Sequence, residues 1–344
     1  MSAVATTLRA AVDRPVTGWR RFWFEPEPTS TLALVRIAFG VVMIGWTLAL
    51  LPVLFPLFGH DGVLPRQPPR GIGTWGLLAL VDGDAAVVAL FVVTLAASAL
   101  LVIGYRTRLA ALLVFIGLMS FTRRDPFVVN SGEPLLRIIA LYLVLSSAGA
   151  SLSLDRLRRA RDHFWEFPSR SRWPVRLLQV QVSLIYLSSV WAKTRGTAWN
   201  DGTAVSYALR IKDYTRFPLP SGITTSVLIS NLMTYGTLAT ELAIAVLVWN
   251  RRARPWVLGA GVALHLGIAY SIKVGFFTLG MLVLYVAFLP NETAGRLIES
   301  VRYRLRAPAA MRTKSRTLAK LSTWSTARTI ERIWPRERMP RAPM

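Results

Sequence analysis

Cysteine is missing from this 344-residue chain, and histidines and acids are few. Without cysteine there is no disulfide, no thiolate metal site, no c-type haem and no cysteine nucleophile. The three histidines, His60, His163 and His265, stand too far apart for a conventional zinc or di-metal cluster. Only 18 Asp and Glu accompany 41 Lys and Arg, and all charged residues together make up 17% of the chain. Soluble domains carry about 25%. A GxSxG elbow, a Walker loop, an HExxH helix and a dinucleotide fingerprint are also lacking in any fitting context, which removes the commonest hydrolase, metalloprotease and nucleotide-binding classes. No internal repeat supports an inverted-repeat transporter.

Apolar sequence takes the place of all these. Hydrophobic residues reach 53% and mean hydropathy is +0.42, a membrane-protein composition. Runs at about 32–57, 84–104, 109–121, 134–150, 177–194, 227–249, 256–272 and 274–290 read as eight spans of an all-α transmembrane bundle. A basic-aromatic segment, 1–31, precedes them and reads as an interfacial helix. It has no short apolar core followed by a small-residue cleavage site, so no removable signal peptide is expected. A basic tail, 291–344, follows the bundle.

The net charge of +23 sits between the apolar runs. No groove-reading or stacking motif accompanies the arginines, so topology explains them better than nucleic acid does. With the N-terminus inside, the segments 1–31, 105–108, 151–176, 250–255 and the tail hold 29 of the 41 Lys and Arg. Positive loops stay cytoplasmic, so both termini are expected there, in a bacterial cell membrane. The tail, with Trp324 and Trp334 among its arginines, is expected to contact anionic lipid.

The same count turns three polar loops, 58–83, 122–133 and 195–225, towards the external side. With Lys193 at their edge, they bring Arg123, Arg124, Asp125, Asn130, Trp199 and Asp201 to one membrane depth. Trp199 and Asn200, with Arg124 and Asn130, are the candidate substrate-binding residues, around an externally opening polar cavity. Lys193 and Asp201 are candidates for proton handling. Inside the spans, Glu241 and His265 are the other two. An unpaired carboxylate within a bilayer is expensive, so Glu241 should have a partner. Antiparallel neighbours would bring it to a depth comparable with His265, beside Gln179, Gln181 or Tyr186. A plainer alternative stays open: a polar clamp between helices, with Gly and Asn capping helix ends and Trp forming the interfacial belt. Arg36 and Arg137 lie near span ends, from where they can snorkel.

Four stretches resemble one family. Leu34–Gly40 (LVRIAFG) is similar to an LxRIxxG first-helix pattern. Asn130–Arg137 (NSGEPLLR), with Ser153–Asp155 (SLD), is similar to an N-x-G-[DE] turn and its following SLD. Tyr186–Tyr207 resembles a Y-x-x-[SA]-x-x-x-K…W-x-[DN]-G segment. Glu241 and His265–Phe276 resemble the late Glu, the His and the last aromatic helix. In this order they resemble the HTTM domain (horizontally transferred transmembrane domain), the membrane part of vitamin K-dependent gamma-carboxylase and its bacterial relatives.

The resemblance implies a helical bundle open to the external side. It also implies a cofactor, reduced vitamin K or menaquinone, oxygenated to a strong base that removes a proton from glutamate. In the carboxylase a lysine in an external loop is thought to start this by deprotonating the hydroquinone. The similar loop here, 122–133, offers Arg123 and Arg124, and arginine stays protonated. The chain runs about fifty residues past its last span, so no counterpart of the carboxylase's lumenal domain is expected. Two readings follow: a carboxylase-like enzyme acting on a quinone or peptide substrate, or a non-enzymatic component of toxin maturation, immunity or export with a small peptide or protein partner.

Overall fold

The computed structural model describes residues 16–63, 75–81, 83–124 and 132–306. Asn130, Trp324 and Trp334 lie outside them. The chain divides into two units, Met1–Asn291 and Glu292–Met344. Eight helices of the first unit occupy the expected apolar runs: α1 (Ser30–Ala49), α2 (Asp84–Ile103), α3 (Thr107–Arg124), α4 (Gly132–Leu145), α5 (Trp173–Lys193), α6 (Val227–Leu247), α7 (Arg254–Ser271) and α8 (Phe277–Val286). A ninth, α9 (Asn291–Arg306), is amphipathic and forms the described part of the second unit.

Crossing a hydrocarbon core of about 30 Å takes about 20 helical residues at 1.5 Å each. Four helical stretches, Ser30–Phe58, α2, α5 and α6, are long and apolar enough to do so. With 14 and 10 residues, α4 and α8 are shorter. The brevity of α8 goes with its position. It packs on α1, α4, α5 and α7, and buries Thr278, Gly280, Met281, Val283, Leu284 and Tyr285. A helix apolar on all sides belongs inside a bundle. Around it α1 to α4 pack in chain order, and α5 packs on α6. The apolar side chains that α5 and α6 leave exposed, Leu184, Leu187, Trp191, Leu228 and Leu232, have hydrocarbon as their natural solvent.

The all-α expectation holds apart from a three-residue antiparallel ladder, Pro26–Pro28 against Ser169–Ser171. Arg172 reinforces it. Its guanidinium pairs with Glu25 at 2.9 Å and Glu27 at 2.5 Å and donates to the carbonyl of Phe22. Segments 145 residues apart are thereby tied together.

Arg36 corrects a sequence expectation. It does not snorkel: it is fully buried (0% exposed). Its Nη1 donates to the carbonyls of Ala148 (3.2 Å) and Ser151 (3.3 Å), and Nη2 to that of Leu152 (2.6 Å). A buried charge needs such partners, and a turn with inward carbonyls supplies them without a second charge. Gly104 ends α2 beside this guanidinium at φ +71°, where a Cβ would stand 2.4 Å from Nη1 of Arg36 and from Cβ of Ser153. Only glycine tolerates both the left-handed backbone and the contact.

Ser153–Asp155 completes the arrangement around Arg36. The Ser153 hydroxyl caps the helix Leu154–Arg159 by accepting from the Arg156 N–H. Asp155 accepts from the Arg106 N–H (2.8 Å), the Thr107 N–H (2.9 Å) and the Thr107 hydroxyl (2.8 Å), so it caps α3 from outside that helix. Partial burial by itself would raise the Asp155 pKa. The hydrogen bonds from Thr107 and Arg106, with the charge of Arg159, outweigh it and hold the carboxyl below its ordinary 3.8. A depressed carboxyl contributes stability above its unfolded pKa and loses it as pH falls through the folded value. Asp155→Asn is therefore expected to lower the thermal midpoint of the purified protein at pH 7 and to flatten its decline below about pH 4. Identical acid profiles for the two proteins would contradict this role.

Candidate functional site

Lys193 is the last residue of α5, and its ammonium reaches along the helix to Oε1 of Glu241 on α6. Glu241 is 5% exposed. An apolar helix can carry a buried carboxylate because α5 brings it a cation, and the partly exposed Lys193 replaces the hydration that Glu241 lacks. Trp199 lies against the same ammonium, its ring centroid 4.8 Å from Nζ. The face of an indole attracts a cation and shields it from water.

Tyr186 lies two turns before Lys193 on α5. Its hydroxyl is 2.6 Å from Nε2 of His265 on α7 and also bonds the hydroxyl of Tyr285 on α8. His265 is 2% exposed, with the rings of Phe277, Tyr285 and Tyr186 around it. Gly261 makes room one turn before His265, since a Cβ there would meet the Tyr285 hydroxyl at 2.4 Å. The two groups of residues share one electrostatic environment. Glu241 acts on Tyr186 and Tyr285, and Lys193 acts on His265.

Two buried atoms here have no hydrogen-bond partner among the described residues: Oε2 of Glu241 and Nδ1 of His265. Buried polar atoms are nearly always satisfied, so such a pair marks room for water or a ligand group. A hydroxyl both donates and accepts, so the Tyr285–Tyr186–His265 chain can hold its protons in either order. Chemically, the arrangement can accept a proton at Glu241, present positive charge at Lys193 and pass protons along the tyrosines.

The remaining candidates take other places. Asn200 donates to the Thr194 carbonyl (3.2 Å) at the end of α5, and its own carbonyl accepts from Tyr235 (2.7 Å). Asp201 is exposed, at the C-cap of the short helix Thr197–Asn200. Gly202 follows at φ +71°, with the Gly202 N–H on the Trp199 carbonyl and the Thr203 N–H on that of Ala198. This is a Schellman ending, which requires a left-handed residue. The Trp199–Gly202 turn thus has a mechanical role: it stops a short helix so that Trp199 faces Lys193. Arg124 donates to the Gly59 carbonyl at 3.3 Å, and Arg123 to that of Trp75 at 2.8 Å.

Of the suggested companions of Glu241 and His265, only Tyr186 is among the residues that bond either. Gln179 donates to the Ala287 carbonyl and Gln181 accepts from Tyr142. Tyr285 was missed. Its signal was a hydroxyl inside the apolar run 274–290, weak because tyrosine is equally at home at membrane interfaces.

Breaking a buried pair costs more than deleting it. Lys193→Met is expected to destabilise the fold by about 3 kcal/mol or more, because Glu241 then lacks its cation. The double change Lys193→Met with Glu241→Leu is expected to restore most of that loss. Equal destabilisation by the single and double variants, read from thermal unfolding in detergent, would remove the pair from the account.

Comparison with known proteins agrees with these elements at family level. No curated protein and no solved structure gave a significant match. The family model described as "HTTM domain" matches residues 76–292, which include α2 to α8 and every residue of the buried cluster. A match over more than half of the chain, onto a bundle with several membrane-crossing helices, identifies a helical membrane protein that belongs to the HTTM domain family.

Proposed function

We propose that the chain crosses a bacterial cell membrane eight times with both ends in the cytoplasm, and that Lys193, Glu241, Tyr186, Tyr285 and His265 form a proton-exchange site reached from the external side. The observation that carries the reading is the buried Lys193–Glu241 pair beside a tyrosine–histidine relay, with one acceptor oxygen of Glu241 left over.

Contacts between loops support the topology. Asp155 bonds Arg106 and Thr107, and the 26–28 strand pairs with 169–171; the charge count puts all of these inside. Arg123 bonds Trp75, and the Lys273 N–H bonds the Tyr214 carbonyl, among segments assigned outside. Eight crossings satisfy both sets, with α4 and α8 as short inner elements. The absence of cysteine makes the test direct. Asp201→Cys in intact cells is expected to react with a membrane-impermeant maleimide, and Arg251→Cys only after permeabilisation. The reverse pattern would invert the reading.

The substrate best suited to such a site is lipid-soluble and carries an acidic hydroxyl. Reduced vitamin K or menaquinone, when bound, supplies a phenol of this kind. Glu241 Oε2 is the residue atom suited to accept its proton, and Lys193 offers the positive charge that stabilises an oxyanion. Trp199 shields that charge from water, and Tyr186 with His265 gives the proton a way onward. A lysine is therefore at hand although the 122–133 loop has none, but it comes from α5.

The assay combines purified protein in nanodiscs with reduced menaquinone, oxygen, a glutamate-containing peptide and labelled carbon dioxide. Quinone consumption is expected to fall at least about a hundredfold in Glu241→Gln, the scale of a lost general base. If the wild-type chain neither consumes reduced quinone nor incorporates label, the enzymatic reading fails and a non-enzymatic role stands.

A further inference from the structure

A concentration of unneutralised charge lies away from this cluster, beside the start of α3 and the end of α4. There a cavity of about 600 Å³ is lined by Arg106, Arg108, Arg156, Arg159 and Arg170 around Asp155. One carboxylate among five guanidiniums does not balance them, and its lone pairs already serve the N–H of Arg106 and the N–H and hydroxyl of Thr107. Glu166 reaches Arg156 only at 4.0 Å. Arg108 uses Nε on the Ser146 carbonyl, and Arg156 uses Nε and Nη2 on that of His163. These bonds fix two guanidiniums in place and leave their other N–H groups free to point elsewhere.

The cavity has an apolar side as well. Leu109 belongs to its wall and is largely exposed, and Leu112 follows it on the same face of α3. Leu145, just before the wall residue Ser146, is half exposed, as is Leu141 one turn earlier on α4. A basic cavity continued by exposed leucines on membrane helices is two-part: planar forks for a phosphate, and a track for hydrocarbon.

We propose that this cavity binds one anionic phospholipid, with its phosphate among the five arginines and its chains along the exposed leucines of α3 and α4. The shared chemistry is a phosphate ester; the leucine track selects the lipid over a soluble phosphate compound. Seated there, the lipid bridges the α2–α3 turn, the end of α4 and the 154–170 segment. It would thereby brace the end of the bundle that Arg36 and Asp155 organise. Nothing in this depends on the Lys193–Glu241 site being catalytic.

The test uses the full chain in detergent, with phosphatidylglycerol, phosphatidylcholine, inorganic phosphate or inositol hexakisphosphate added, and native mass spectrometry and thermal unfolding as readouts. Retention of one phosphatidylglycerol and a raised thermal midpoint are expected. Arg159→Gln with Arg170→Gln is expected to weaken retention about tenfold or more. Arg251→Gln with Arg252→Gln, which removes equal charge elsewhere, is expected to leave it unchanged. Arg159→Lys keeps the charge and loses the fork, so intermediate retention with unaltered helix content guards against misfolding. Equal loss in both double variants would mean diffuse attraction to a charged surface. Phosphatidylcholine retained as well as phosphatidylglycerol, or stabilisation by the soluble phosphates alone, would likewise overturn the proposal.

Discussion

A fully buried arginine that has to be satisfied by backbone governs one end of this bundle. Arg36 sits on the first long apolar helix and draws the 148–152 turn in over it, so three carbonyls converge on one guanidinium. The turn leads directly into Ser153 and Asp155, which cap their own helix and α3. Gly104 keeps side chains out of the space between. Two short stretches more than a hundred residues apart are thus one structural unit. In hydrocarbon the alternative is a charge without solvent, which is why its partners are specified so tightly.

The Lys193–Glu241 cluster follows the same rule with a different solution. There the buried charge is negative, and a lysine from the end of a neighbouring helix neutralises it. Each solution leaves something over among the described residues: Nε of Arg36 in the first, a carboxylate oxygen of Glu241 and an imidazole nitrogen of His265 in the second. Trp199, turned inward by a Schellman ending, covers the lysine from the loop side.

How much of this could be read beforehand varies with the kind of information involved. Helix positions were legible because each apolar run declares itself within about twenty residues. The importance of Lys193, Glu241 and His265 was legible because ionisable residues stand out against leucine and valine. Their actual contacts were not. Glu241 was expected at a depth comparable with His265 and in need of a partner; that partner is Lys193, forty-eight positions away. Periodicity says which residues share a helix face but not which helix that face meets. Arg36 was read as snorkelling because its distance from the span end allowed it; the 148–152 carbonyls that hold it are invisible in a local window. Tyr285 escaped notice for the same reason, since α8 earns meaning only when four helices close around it.

By itself, the sequence determined that this protein lives in a membrane and where its helices run. Those properties are sums over contiguous residues: the transfer of each segment into hydrocarbon. Tertiary structure alone decided which polar groups meet. Rotating a helix by one residue, about 100°, would send Glu241 to lipid without changing any segment's hydropathy. The pairing therefore depends on how α5, α6, α7 and α8 pack, and that packing turns five isolated polar residues into one cluster.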